Sequence, residues 1–222
     1  VVISRLFFPF DLGSYEATIW HSAELAAAGK NPYAYLDSAP FTASPYGYLY
    51  YMLIGLGLEV LGQQFFFGRY LSAAAGFAVL ALLFCKLQIP KTARMFAILA
   101  FSGSLAFQLW VGAHRADLLA LAFGLAGILF AMADVQPDST PRTKNLLTVG
   151  GFLLAALFCK QTFIIPVIIS LLVYLQAGYI KRAAALGFFV GAVGFLVAFT
   201  LNITSDGQYY LQHFYYTRNI PV

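Results

Sequence analysis

The sequence predicts an all-α polytopic membrane protein with a long polar loop near its beginning. Hydrophobic residues make up 61% of the 222 residues and charged residues only 10%, whereas soluble proteins average about 25% charged residues. Several apolar runs approach the length of about 20 residues that crosses a hydrocarbon core about 30 Å thick. The formal charge is +4, but in a chain this apolar the placement of Lys and Arg matters more than their sum, because short cytoplasmic loops collect them. This charge therefore gives no indication of nucleic acid binding.

The chain begins with the predicted end of a first span at residues 1–10. No basic leader or small-residue cleavage site marks these residues as a signal peptide. The last residues carry no cap or polar tail, so we expect the chain to be part of a longer protein in which the first helix starts earlier and further helices follow residue 222. We treat residues 1–222 as one transmembrane domain.

Residues 11–64 form a long loop in which two helices are predicted. Residues 15–28 place small and apolar side chains at helical spacing and end at Gly29 and the Asn31-Pro32 pair, which predicts a short helix in the membrane interface. Glu16 and Glu24 are expected on its solvated face. Residues 48–61 predict either a second surface helix or the start of the next span.

The remaining chain, residues 65–222, predicts about six further spans and an outer C-terminal segment. The spans are expected at residues 65–84, 96–111, 118–133, 146–159, 163–175 and 183–201. Lys86, Lys91 and Arg94 mark one inner loop, and Arg142 with Lys144 marks a second. The first loop and the segment from His114 to Asp117 then face the outer side.

Two topologies are compatible with residues 146–176. One continuous span would place Lys181 and Arg182 outside. A turn at Lys160 would send the chain back and place both cations inside, with Lys160 at the outer surface. The tendency of cations to stay inside favours the turn.

Ionisable residues at the ends of spans are costly to bury, so they are candidates for function. Asp11 is a candidate general base, and Lys160, Arg115 and Arg69 can stabilise negative charge on a leaving phosphate. Structural alternatives remain open. Asp11 can cap the loop helix, Arg69 can reach toward the headgroups, and Arg115 can pair locally with Asp117. His114 is isolated in the sequence and is expected to be a hydrogen-bonded structural residue.

Several short motifs resemble the GT-C glycosyltransferases, in particular the branch that contains protein O-mannosyltransferases and aminoarabinose transferases. They are Asp11 after the first span, the turn from Gly29 to Tyr33, the aromatic run from Tyr46 to Tyr51, Gly68-Arg69, Arg115-Ala116-Asp117, and Lys160-Gln161-Thr162. The resemblance implies a GT-C-like bundle whose long first outer loop carries short interfacial helices.

The resemblance also implies an enzyme that moves a sugar from a polyprenyl-phosphate carrier to an acceptor hydroxyl with inversion. Asp11 would be the catalytic base, and the residues expected to bind substrate or lipid phosphate are Lys160, Arg115, Arg69, Glu16 and Tyr46. We expect no cofactor, and the lack of an Asp-x-Asp motif predicts no essential metal. The implied partners are the lipid-linked sugar, the acceptor and membrane lipids. The implied location is a prokaryotic plasma membrane, with the first loop on the periplasmic or extracellular side.

Two other function classes stay open. The family often shows an Asp-Glu pair where this chain has Asp11-Leu12, which leaves room for a non-catalytic scaffold subunit of a larger membrane complex. A transporter would use the same intramembrane charges to line a substrate path.

Overall fold

The computed structural model describes residues 2–8, 10–12, 15–34, 43–61, 66–86, 89–136 and 143–216. These residues form helices and turns without a strand, which confirms the all-α prediction. Arg142 and Arg218 lie outside the described residues. The helices are α1 (Val2–Leu6), α2 (Tyr15–Ala27), α3 (Tyr48–Leu61), α4 (Phe66–Lys86), α5 (Lys91–Gly103), α6 (Leu105–Trp110), α7 (Asp117–Asp134), α8 (Thr143–Cys159), α9 (Ile165–Gln176), α10 (Ile180–Thr204) and α11 (Gln208–Tyr210), followed by one π-helical turn at Leu211–Tyr216.

Three of the described helices are long and apolar enough to cross a membrane: α4, α7 and α10. Three shorter apolar helices, α3, α8 and α9, have 14, 17 and 12 residues. Large apolar side chains are exposed along these helices, as expected where the surrounding solvent is lipid. This composition supports association of the chain with a membrane.

Helix α7 lies at the centre of the bundle, where it packs against α4, α8 and α9. Its first residue, Asp117, and its last, Asp134, are both buried. They therefore mark two ends of the bundle, which we call the Asp117 end and the Asp134 end.

The chain turns after α8, as one of the two predicted topologies requires. Lys160 follows the last residue of α8 and pairs with Asp117. Tyr174, near the end of α9, donates its hydroxyl to Asp134 at 2.9 Å, and Arg182 at the start of α10 lies 3.0 Å from the same carboxylate. Helix α9 thus returns to the Asp134 end, and Lys160 and Arg182 lie at opposite ends of the bundle.

The run predicted as a single span at residues 96–111 is divided between two helices. Helix α5 begins earlier, at Lys91, and ends at Gly103, and α6 begins at Leu105. Between them Ser104 has an extended backbone, and its side chain accepts a hydrogen bond from the Phe107 amide at 3.3 Å. A serine that caps the second helix accounts for the break.

The first loop folds as a helical hairpin in which α2 packs along α3. The bounds predicted for both helices agree with the structure to within one residue. The expectation that Glu16 lies on a solvated face is wrong, since Glu16 is only 4% exposed. Helix α2 buries this carboxylate together with Ile19, Ser22, Ala23 and Ala26, so the loop is a packed layer of the fold.

The C-terminal segment closes on this loop. Gln212 accepts from the Ser44 amide at 2.6 Å and donates to the Tyr33 carbonyl at 2.7 Å. His213 lies within hydrogen-bond distance, 3.2 Å, of the Tyr46 carbonyl. Both side chains are buried, so the π-helical turn after α11 and the first loop form one polar interface at the Asp117 end.

Candidate functional site

A carboxylate and two cations meet where α7 begins. Asp117 accepts a hydrogen bond from Lys160 on one carboxylate oxygen and lies 3.2 Å from Arg115 Nε on the other. The Asp117 side chain is 5% exposed, whereas those of Lys160 and Arg115 are 20% and 41% exposed. The buried Asp117 carboxylate therefore pairs with both cations, and the cations are partly exposed at the surface of the bundle.

Tyr46 completes this cluster from the first loop. Its ring lies 5.6 Å from Lys160 Nζ, a distance at which an ammonium group is attracted to the face of an aromatic ring. Its hydroxyl also interacts electrostatically with the Arg115 guanidinium. Burial raises the pKa of Tyr46 to about 12, so the hydroxyl stays protonated at neutral pH.

Arg115 keeps its charge in this partly buried place. Burial by itself lowers the pKa of a guanidinium, but Tyr46 and Asp117 raise the pKa of Arg115 above its usual value. The guanidinium also lies 5.8 Å from the centre of the Trp110 ring. The geometry gives Arg115 a fixed position and an exposed edge that can contact an anion.

Arg69 and Glu16 form a second cluster behind the first. Arg69 donates from Nε to Glu16 Oε1 at 3.1 Å and from Nη2 to Oε2 at 2.5 Å. It also donates to the carbonyls of Arg5, Phe8 and Phe10. Since the Arg69 side chain has no exposed surface, the pair holds the first loop against α4. Contact of these two residues with a substrate stays a prediction.

Glu16 is held in its charged form by its neighbours. Burial alone would raise the pKa of this carboxyl, but hydrogen bonds from Arg69 and from the amides of Leu12 and His114 lower it below its usual value. The His114 amide donates at 2.9 Å. One carboxylate thus fastens the first loop, α4 and the segment before α7 together.

Asp11 lies at the entry to the first loop and is partly buried. Its Oδ2 accepts from the Ala17 amide at 3.3 Å, in the first turn of α2, where free amides attract a carboxylate. The structural alternative for Asp11, that it caps the loop helix, therefore agrees with this contact. A capping contact through one oxygen is compatible with a second role for the carboxylate.

A cavity of about 120 Å³ lies beside these groups. Its wall is formed by Leu12, Tyr15, Glu16, Ala113, His114 and Arg115. Leu12 in this wall directly follows Asp11 in the chain, and Arg115, one of the predicted phosphate ligands, lines the same cavity. Lys160 and Tyr46 join this region through Asp117 and Arg115. The structure therefore brings Lys160, Arg115 and Tyr46 together, whereas Asp11 is the chain neighbour of a residue that lines the cavity.

Sequence reasoning missed two residues of this site. Asp117 was expected only as a local partner of Arg115, but it also binds Lys160, 43 positions away. His114 was expected to be hydrogen-bonded through its ring, yet neither ring nitrogen has a partner among the described residues. The position of His114 directly before the Arg115-Ala116-Asp117 motif was the available signal for its place in the site.

Among the described residues, no group of three or more His, Cys, Asp or Glu side chains is arranged to hold a metal ion. Both cysteines are free: Cys85 is exposed and Cys159 is buried.

Comparisons with known proteins give no match: no protein-family model, no curated protein and no solved structure is similar to this chain.

Proposed function

We propose that this chain is a membrane glycosyltransferase of the GT-C type, which moves a sugar from a polyprenyl-phosphate carrier to an acceptor hydroxyl. The observation that carries the proposal is the cluster of Lys160, Arg115 and Asp117. It lies at the same end of the bundle as the loop that presents Asp11. The two cations are close enough to share one carboxylate, so they are close enough to share one phosphate.

The charges of the cluster suit a lipid phosphate. Two cations and one carboxylate leave one net positive charge, and ammonium and guanidinium groups form strong hydrogen bonds with phosphate oxygens. Arg115 has the more exposed side chain of the two cations. In the proposed complex Arg115 and Lys160 bind the phosphate, while Asp117 and Tyr46 hold them in position.

The reaction is a direct displacement. The Asp11 carboxylate takes the proton of the acceptor hydroxyl, and the acceptor oxygen forms a bond to the anomeric carbon. The bond from that carbon to the phosphate oxygen breaks, and its electron pair leaves with the polyprenyl phosphate. Attack from the side opposite the phosphate inverts the anomeric configuration. The phosphate gains one negative charge as it leaves, and the cations stabilise that charge.

The substitution Asp11→Asn tests this proposal, because Asn caps a helix about as well as Asp but cannot act as a base. The measurement is release of farnesyl phosphate from a panel of farnesyl-phosphate-linked sugars in the presence of an alcohol acceptor, using the purified full chain in nanodiscs. We expect at least one sugar to be released by the wild type and the rate to fall about 100-fold or more in the variant. Glu24→Gln, an exposed acid on the same helix, is the matched control and should retain the wild-type rate.

The same experiment separates the alternatives. A scaffold subunit releases no phosphate in either form, and a transporter moves the lipid-linked sugar without cleaving it. Undiminished release by Asp11→Asn would exclude Asp11 as the base. We place this reaction at the outer face of a prokaryotic plasma membrane, where the first loop would face the periplasm or the extracellular medium.

A further inference from the structure

Three adjoining cavities form one groove between α4 and α7. The largest, of about 640 Å³, lies at the Asp134 end, where Lys86, Gln136 and Gln176 are the polar residues of its wall. A cavity of about 90 Å³ lies between it and a third of about 470 Å³, since it shares Leu129 with the first, Phe130 with the third and Lys86 with both. The third cavity has a wholly apolar wall. The groove is therefore polar at the Asp134 end and apolar farther along the two helices.

The apolar part of the groove has the depth of one membrane leaflet. It extends along α7 from Ala133 to Ala122, which is about 17 Å at the helical rise of about 1.5 Å per residue. One leaflet contributes half of a hydrocarbon core about 30 Å thick, or about 15 Å. Small side chains such as Ala78, Ala81 and Ala126 line the groove and leave the space open. An acyl chain of one leaflet therefore fits along it.

Lys86 places a positive charge where the apolar part meets the polar end. It is the last residue of α4 and is exposed, and among the described residues no acid lies within 4 Å of its ammonium group. Arg94 is occupied by the carbonyls of Phe84 and Ile89, to which it donates at 2.8 and 3.2 Å. Because a lysine stem is flexible, the Lys86 ammonium can reach a group placed in the cavity whose wall this residue forms.

The Asp134 end of the bundle has a large excess of positive charge. The cations that the structure describes there are Lys86, Lys91, Arg94, Lys144, Lys181 and Arg182. Asp134 is the one acid at this end in the described part of the chain, and Arg182 pairs with it at 3.0 Å. Basic pockets between transmembrane helices on the cytoplasmic side bind anionic lipid headgroups. An anionic headgroup therefore complements this end, whereas a zwitterionic headgroup brings a cation of its own.

We propose that this groove binds one anionic phospholipid, with its phosphate at Lys86 and one acyl chain along α7. The side-chain amides of Gln136 and Gln176, in the wall of the same cavity, offer hydrogen-bond donors to the headgroup oxygens. The site lies at the end of the bundle opposite the Asp117 cluster. The proposal is therefore independent of the proposed transferase function.

The test compares dioleoyl-phosphatidylglycerol with dioleoyl-phosphatidylcholine, which have the same acyl chains but differ in the charge of the headgroup. Native mass spectrometry of the detergent-solubilised full chain measures the fraction of protein that carries one lipid. We expect phosphatidylglycerol to bind about 10-fold more tightly, and Lys86→Gln to remove most of this preference. Lys181→Gln removes an exposed cation at the same end outside the groove and should change the affinity by less than about 2-fold, because solvent screens distant exposed charges.

A second variant tests the apolar part of the groove. Ala81 is exposed on α4 and lines the 470 Å³ cavity, so Ala81→Phe fills this space without adding a side chain to the core. It should weaken binding of both lipids about 10-fold, since the acyl chain loses buried methylene groups. Ala192→Phe, at an exposed position of α10, is the matched control and should leave both affinities unchanged.

Several outcomes would overturn the proposal. They are equal affinity of the wild type for the two lipids, an undiminished preference in Lys86→Gln, and undiminished binding in Ala81→Phe. Equal losses in Lys86→Gln and Lys181→Gln would show that surface charge in general attracts the lipid. A dimer in the mass spectrum that Ala81→Phe dissociates would identify a second copy of this chain as the occupant of the groove.

Discussion

Lys160 and Asp117 form an ion pair that joins the turn after α8 to the first residue of α7, across 43 positions of sequence. Asp117 also lies 3.2 Å from Arg115 Nε, so one carboxylate positions two cations at the same end of the bundle. Both cations are thereby held beside each other, and both remain partly exposed. Four of the predictions below concern residues that build this site or hold it together, and one concerns its orientation.

Replacing Lys160 by Ala should weaken binding of farnesyl phosphate about 10- to 100-fold. A hydrogen bond to a charged group contributes about 1.5–3 kcal/mol, and about 1.4 kcal/mol corresponds to a factor of ten in affinity. Calorimetry on the full chain in nanodiscs measures the change. Lys91→Ala removes an exposed cation at the start of α5 and should leave the affinity unchanged. Equal losses in both variants would show that charge at the membrane surface, and no specific site, attracts the phosphate.

Replacing Glu16 by Gln should destabilise the protein strongly, by about 3–5 kcal/mol, because it leaves the fully buried Arg69 without its counter-ion. The measurement is denaturant-induced unfolding of the detergent-solubilised chain. Glu24→Gln alters a side chain that is 40% exposed and should change stability by no more than about 0.5 kcal/mol. The pair Glu16→Met with Arg69→Met should recover much of the loss, since it removes both charges. A small change in the free energy of unfolding for Glu16→Gln alone would show that the Glu16–Arg69 pair does not hold the first loop against α4.

Replacing Gly47 by Ala should separate the first loop from α8. The Gly47 amide donates to the Cys159 carbonyl at 2.9 Å, and a Cβ at this position would lie 2.0 Å from the Phe158 carbonyl oxygen. The expected result is a loss of stability of about 1–3 kcal/mol together with weaker farnesyl phosphate binding, because Tyr46 is the adjacent residue. Gly151→Ala, in α8, meets no atom within 4 Å and should be neutral or stabilising by up to about 1 kcal/mol. Similar unfolding midpoints for the two variants would contradict the close approach of Gly47 to the backbone of α8.

Acid should weaken the contact between the C-terminal segment and the first loop through His213. Burial lowers the pKa of His213 to about 4, although hydrogen bonds to the Tyr46 and Tyr209 carbonyls oppose the shift. Between pH 6.5 and pH 4 the unfolded chain binds a proton at this position that the folded chain does not, so stability falls as the pH falls.

Each such histidine changes the free energy of unfolding by at most about 1.4 kcal/mol per pH unit. Burial also lowers the pKa of His114 to about 4, so this histidine makes stability fall with falling pH in the same way. His213→Gln should therefore remove about half of the pH dependence that the two histidines produce together. Unfolding midpoints at pH 7, 6 and 5 measure it. An unchanged dependence in His213→Gln would show that another group is responsible.

The proposed orientation predicts which positions an impermeant thiol reagent can reach. In a background with Cys85→Ser and Cys159→Ser, Lys30→Cys should be labelled in intact cells, since residue 30 is exposed in the first loop. Lys91→Cys, exposed at the other end, should be labelled only after the cells are permeabilised. The reverse pattern would place Asp11 and Lys160 on the cytoplasmic side.

The outcome for individual elements shows how far pattern reasoning reaches. The hairpin helices α2 and α3 were predicted closely because local signals end them: Gly29 and Asn31-Pro32 stop the first, and an apolar run forms the second. The turn at Lys160 was favoured by the placement of cations. The break at Ser104 was not predicted, because a serine inside an apolar run gives no sign that its side chain will cap a new helix.

For the site, the sequence identified the charged residues but assigned Glu16 to the wrong environment. Of the five residues predicted to bind substrate or lipid phosphate, Lys160, Arg115 and Tyr46 meet in the structure. Glu16 was expected to face solvent but is buried against Arg69, 53 positions away, and against the amide of His114, 98 positions away. Such pairings depend on which helices pack together, and helical periodicity carries no information about that.

The sequence by itself determined that the chain is helical, apolar enough for a membrane and equipped with a polar first loop. These features depend on local properties: the spacing of apolar residues follows helix geometry, and the composition of a segment decides whether it prefers lipid or water. Only the tertiary structure decided that Asp117 collects two cations, that Glu16 and Arg69 are buried together, and that the His114 ring is left without a partner. The physical reason is that burial and charge pairing arise from packing between distant segments, where the cost of desolvation decides which groups must meet.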